Sequence, residues 1–127
     1  MNKLFVPYAE SLELKELGFD EPCFGLFTRS NNELLIKEIP NQQECEQYFG
    51  GILAPTFSQA FKWFREKSFR FCVIDDHSNN EKPYTFTTEH EYYYDVGSGN
   101  DWYKTFDEAE LECLRKLIEI AKNGKTN

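Results

Sequence analysis

Residues 54–67 place the firmest limit on what this chain can fold into. Thr56 is followed three residues later by Gln59. That spacing is a capping box, in which the Thr hydroxyl takes the backbone N–H three residues on and the Gln side chain reaches back. Phe57, Ala60, Phe61 and Phe64 recur at i, i+3, i+4 and i+7, so they share one helical face. The spacing predicts a helix over 57–67. Thr105 and Glu108 open a second helix in the same way, over 106–122, with Asn123 and Gly124 as its stop. Phe106, Ala109, Cys113, Leu114, Leu117, Ile120 and Ala121 form its buried face. Glu112 with Lys116, and Glu119 with Lys122, are pairs for its exposed side.

The rest of the chain reads as strands laid against helices. Val6 and Pro7 open a helix that runs to Leu17. Gly18 ends it, and Phe19 folds back on Leu14. Residues 23–29 and 33–38 form a hairpin joined at 30–32. Phe24, Leu26 and Thr28 point one way, with Leu34 and Ile36 as candidates for the same face. Gly25 in mid-strand marks a bulge or a close backbone approach. Residues 39–53 read as a surface loop with at most a helical turn at 44–48. Residues 69–75 carry apolar groups on both faces, which suggests an interior strand. Residues 83–88 and 91–96 are further strands, 76–80 and 97–100 are turns, and 101–104 make a short return strand. The expected class is α+β: one antiparallel sheet with about three helices mainly on one face, in a single domain over 1–127.

At 127 residues, with 12 Phe, 7 Tyr and 2 Trp, the chain can bury a sizeable core. Cys23, Cys45, Cys72 and Cys113 are far apart and show no CxxC or zinc spacing, which predicts free, buried thiols in a reducing compartment. No run resembles a signal peptide or a membrane span, so a soluble cytoplasmic protein is expected. The net charge is −8. It is concentrated in residues 75–101, where seven acids face Lys82 alone. Phosphate contacts need a basic footprint, so nucleic-acid binding by the whole surface is disfavoured and a basic protein partner fits better.

Three blocks resemble one family. They are residues 6–8 leading into 14–25, residues 54–67 and residues 106–120, about half of the chain together. Each is similar to small hypothetical proteins of phages and prophages of Bacteroidetes. That family carries no assigned activity, so the resemblance implies no catalytic residue. It implies a setting, that of a phage-type accessory protein inside a bacterial cell.

Four groups of residues are candidates for function. Asp75, Asp76 and His77, with Glu89, His90 and Glu91, hold the carboxylates and imidazoles that suit zinc or manganese. If the strands flanking 77–83 pair, both histidines lie near one sheet end. Asp75, His77 and His90 would be the ligands, although the spacing matches no metal motif. Solvated turn residues are the plainer reading. Gly97, Ser98 and Gly99 lack the context of a nucleophile elbow and read as a turn. Lys62, Arg65, Lys67 and Arg70, interleaved with Trp63 and Phe69, have the mixture that single-strand binders use, against a solvated helix face as the plain alternative. Trp63 lies about 110° from the centre of the apolar stripe, which makes it a partly exposed interface anchor or a cover for a sheet edge. Finally, alternation along 89–95 puts Glu89, Glu91, Tyr93 and Asp95 on one face, with Asp101 and Trp102 nearby. Such a face can compete for the groove of a basic nucleic-acid-binding protein, or can be an ordinary solvated sheet face.

The function expected from these residues is that of a non-enzymatic protein that binds a protein partner and needs no cofactor. Its sharpest version is an inhibitor of a host factor that handles nucleic acid, of the anti-CRISPR or other anti-defence type. Two alternatives stay open: a small metal-dependent enzyme or metal-binding domain using His77 and His90, and an RNA-binding module on the Lys62–Arg70 face.

Overall fold

The computed structural model describes residues 2–67, 69–75, 81–90, 93–96 and 102–125. The class is α+β, as expected, but the strands divide between two three-stranded antiparallel sheets where one was expected. The chain separates into two compact units, residues 1–61 and 62–127.

The first unit begins with a single 3-10 turn, Asn2–Leu4, and α1, Tyr8–Glu16. Pro7 sits at the N-cap of α1 rather than inside its first turn, and its carbonyl accepts the Ser11 N–H at 2.9 Å. The far end of α1 is a Schellman motif. Gly18 takes φ +101°, its N–H reaches the Lys15 carbonyl at 3.0 Å, and the Phe19 N–H reaches that of Leu14 at 2.9 Å. Phe19 and Leu14 are both buried.

The hairpin is β1, Cys23–Phe27, paired antiparallel with β2, Leu34–Ile39. The register shifts between Cys23 and Gly25, and a Cβ at Gly25 would lie 2.8 Å from the Phe5 ring. Gly25 therefore marks both a bulge and a close approach. The bulge breaks the expected alternation: Leu26 is buried while Phe24 is exposed.

Residues 39–53 depart furthest from expectation. They hold a helix, α2, Gln42–Phe49, and a two-residue strand, β3, Ile52–Leu53. Asn41 caps α2 by accepting the Glu44 N–H at 2.8 Å, and Gly50 closes it at φ +61°. β3 pairs with β1, so the sheet order is β2-β1-β3. Gln42 ties α2 to this edge. Its Nε2 donates to the Gly51 carbonyl at 3.0 Å, and its Oε1 accepts the Leu53 N–H at 3.1 Å. Phe5, Phe27, Ile52 and Ala54 form the core over one sheet face, with Tyr8, Leu12 and Leu34 packed against them.

The helix predicted at 57–67 is α3, Phe57–Glu66. Its capping box is complete: the Gln59 N–H donates to Thr56 Oγ1 at 3.2 Å, and the Thr56 N–H to Gln59 Oε1 at 3.0 Å. The division between the two units falls within this helix.

The second unit holds β4, Phe69–Asp75, β5, Tyr84–His90, and β6, Tyr93–Val96, in the order β4-β5-β6. β4 is thus an edge strand among the described residues, not the interior strand its composition suggested. Apolar groups on both faces report what covers a strand from above and below, not which strands flank it. The expected return strand reduces to one bridge, between Tyr84 and Tyr103. The turns expected at 76–80 and 97–100 lie outside the described residues.

The last helix, α4, Phe106–Lys125, is capped by Thr105, whose Oγ1 accepts the Glu108 N–H at 3.1 Å. It continues through Asn123 and Gly124, because glycine costs a helix only about 1 kcal/mol and does not forbid it. Ala109, Cys113, Leu114, Leu117, Ile118 and Ile120 are buried. Phe106 is exposed instead, its ring edge-on to Tyr84 at 6.0 Å. Ion pairs along α4 include Glu112 with Arg115 and Lys116 with Glu119, both at i,i+3.

Candidate functional site

Register decides the fate of the acidic-aromatic face. Glu89 lies opposite Tyr94, and His90 opposite Tyr93. Residues directly opposite in an antiparallel pair share a face. Glu89 and Tyr94 therefore hold one face, while Tyr93 and Asp95 hold the other with His90 and Thr88. This register does not put Glu89 on one face with Tyr93 and Asp95, as continuous alternation along 89–95 would. Glu91 and Asp101 lie outside the described residues, and Trp102 is half-buried.

The same ladder separates the metal candidates. Asp75 lies opposite Tyr84 and His90 opposite Phe69, at the two ends of a seven-pair ladder. At about 3.4 Å per residue these positions are about 20 Å apart, too far to share an ion. His77 lies outside the described residues. Among the described residues no group of three or more His, Cys, Asp or Glu is placed to hold a metal.

Trp63 is buried at 8% exposure, so it is not the partly exposed anchor expected. Its ring meets Phe64 edge-on at 5.1 Å, and Lys67 Nζ lies 4.5 Å from its centroid. Buried Ala60, Phe61, Trp63 and Phe64 span about 160° of helix at 100° per residue, wider than a single stripe. Lys62, Arg65 and Lys67 are exposed. Arg65 stacks over Phe71 at 5.6 Å. Arg70 lies in β4, opposite Glu89. Arg65 on α3 and Lys67 just beyond it are thus seated on aromatic rings of their own unit.

Three cysteines, Cys23, Cys45 and Cys113, are free and buried. Burial, with Cys45 nearby, pushes the Cys23 thiol up to about 12. Burial, with Glu46 nearby, pushes Cys45 up to about 11. Both stay protonated at neutral pH, and a thiol in that state is a poor nucleophile.

A different surface, on the first unit, has the shape of a binding site. A groove of about 430 Å³ runs between the segment before α1 and the tip of the β1–β2 hairpin. Phe5, Val6, Pro7, Tyr8, Phe27 and Leu34 wall it. Asn32 and Glu33 form its polar end. The walls are held from both sides. The Val6 N–H donates to the Pro55 carbonyl at 2.9 Å, and Tyr8 meets the Phe27 ring edge-on at 5.6 Å. The hairpin tip is fixed by Asn31, whose Oδ1 accepts Thr28 Oγ1 at 2.7 Å and the Glu33 N–H at 3.2 Å. Asn32 takes φ +55°, a conformation Asn adopts more readily than most residues.

The groove adjoins an open sheet edge. Among the described residues, β2 has β1 as its one neighbour in the sheet. The Thr28 N–H donates to the Glu33 carbonyl at 3.0 Å, and the Gly25 carbonyl accepts Ala54 N–H at 2.9 Å on the β3 side. Hydrogen-bonded and non-hydrogen-bonded pairs alternate in an antiparallel ladder. Leu34 and Ile36, opposite Phe27 and Gly25, therefore turn their main-chain groups to the open side. Leu35 and Ile36 are 39% and 49% exposed, and Phe24 on the neighbouring strand is 59% exposed.

No family model, curated protein or solved structure matches the chain. No helix among the described residues is long and apolar enough to cross a membrane. The groove went unnoticed in the sequence because Phe5 to Tyr8 and Phe27 to Leu34 are joined only by the fold. The edge had a signal: Leu34, Leu35 and Ile36 are three apolar residues in succession, more than one covered face of a strand needs.

Proposed function

We propose that this protein is a non-enzymatic binding module that docks a protein partner on the open β2 edge. One observation carries the reading: Leu35 and Ile36 are exposed on an edge strand whose outward main-chain groups are unpaired among the described residues. Edge strands commonly carry protection against further pairing, such as charge, proline or a covering loop. Here the exposed pair Leu35 and Ile36 is aliphatic, and charge enters the edge only beyond it, at Lys37 and Glu38. Strand addition supplies main-chain hydrogen bonds for affinity and side-chain pockets for selection. The narrower reading, inhibition of a nucleic-acid-handling host factor, rests on the phage-type resemblance and the acidic segment. The split of Glu89 from Tyr93 and Asp95 moves the weight from that segment to the β2 edge.

Capture from a nuclease-treated bacterial lysate tests the proposal with two variants. Leu35→Lys/Ile36→Lys should lose the captured partner while the protein stays folded, since the two side chains are 39% and 49% exposed. Reversing the charges of Glu89, Glu91 and Asp95 should leave capture intact. The opposite pattern would return the site to the acidic segment.

A further inference from the structure

The groove beside β2 gives the docking edge a sequence preference, an inference that rests on the edge reading above. We infer that the occupant is an extended peptide segment of a basic partner. One large apolar side chain of this segment enters the groove, and a Lys or Arg next to it in the peptide meets Glu33.

Three features support this occupant. A strand added to β2 would set one of its residues across from Leu34, at the apolar wall, and the adjacent residue across from Glu33. The residue across from Leu34 shares its face and is directed into the groove, and Glu33 lies one residue further at the groove's end, where a long basic side chain from the adjacent position can meet it. The groove's volume falls within the ~300–1,000 Å³ usual for ligand pockets, room for a large side chain with its flanking backbone.

The charge is one-sided. Glu33 is exposed and forms no ion pair among the described residues. Residues 1–61 carry nine acids against Lys3, Lys15, Arg29 and Lys37. Lys15 is engaged by Glu46 at 2.7 Å, and Arg29 lies along Gly50 rather than over the groove. Lys37 and Glu38 adjoin further along β2 and add no net charge there. A second copy of this chain is disfavoured as occupant, since each copy carries −8.

Selection from a displayed library of linear random heptapeptides against the full chain tests the inference. Enriched peptides should carry Leu, Ile, Phe or Met directly beside Lys or Arg, at about tenfold above the input library. Glu33→Lys should change the favoured neighbour from Lys or Arg to Asp or Glu while the apolar preference persists. Ile36→Lys should abolish enrichment altogether. Enriched peptides without the apolar–basic pair would overturn the inference, as would a neighbour preference indifferent to Glu33→Lys. Absence of enrichment would overturn it too. The edge reading is judged separately, because the lysate capture with Leu35→Lys/Ile36→Lys does not depend on the groove.

Discussion

Phe64→Ala is expected to destabilise the second unit by about 3–5 kcal/mol, the range for truncating a buried aromatic residue. Phe64 is fully buried and is held edge-on between two rings, Trp63 at 5.1 Å and Phe69 at 5.1 Å. Removing it takes away apolar burial and both ring contacts. The void then sits between the last turns of α3 and the first residue of β4. Domain stability is only about 5–15 kcal/mol, so the loss is a large share of the total. Urea unfolding followed by tryptophan fluorescence reads the effect directly, because Trp63 and Trp102 both belong to residues 62–127. A loss below about 1.5 kcal/mol, the usual limit for a volume-conserving swap, would mean that Phe64 is not packed as described.

Gly51→Ala is expected to cost about 3 kcal/mol or more, the upper range for overpacking. A Cβ at Gly51 would lie 2.0 Å from the Phe27 carbonyl oxygen and 3.0 Å from its carbon. Both are main-chain atoms of the central strand, so no side chain can rotate aside. The methyl must push β3 away from β1, which breaks the pairing of Leu26 with Leu53 and of Phe27 with Ile52. Amide exchange should show the damage first at Leu53 and Ala54. A variant that melts within a degree or two of the parent would contradict this packing.

Local chemistry was the legible part of the sequence. Thr56 with Gln59, Thr105 as a cap, and Gly18 with Phe19 all declare element ends through bonds within a few residues, and the structure shows each of those bonds. The α2 helix was missed although its signals are of the same kind: Asn41 with Glu44 at its start and Gly50 at its end. Its polar composition obscured them, since Cys45 is its one buried residue.

What stayed hidden depends on partners distant in sequence. The side on which Glu89 falls depends on where the chain reverses, and a shift of one residue in that turn exchanges the faces. Trp63 looked partly exposed on a helical wheel because a wheel assumes one packing surface, while α3 is covered over a wider arc. The groove needs the segment at Phe5–Tyr8 to lie beside a hairpin tip more than twenty residues away, which no local pattern encodes.

Amide hydrogen exchange on the complex with the captured partner tests the central claim most directly. In the free protein the outward-facing amides of Leu34 and Ile36 should exchange rapidly. On binding they should become protected, while the inward-facing Leu35 amide changes little. Unchanged exchange at Leu34 and Ile36, with protection appearing in β5 and β6 instead, would contradict the β2 edge as the docking surface.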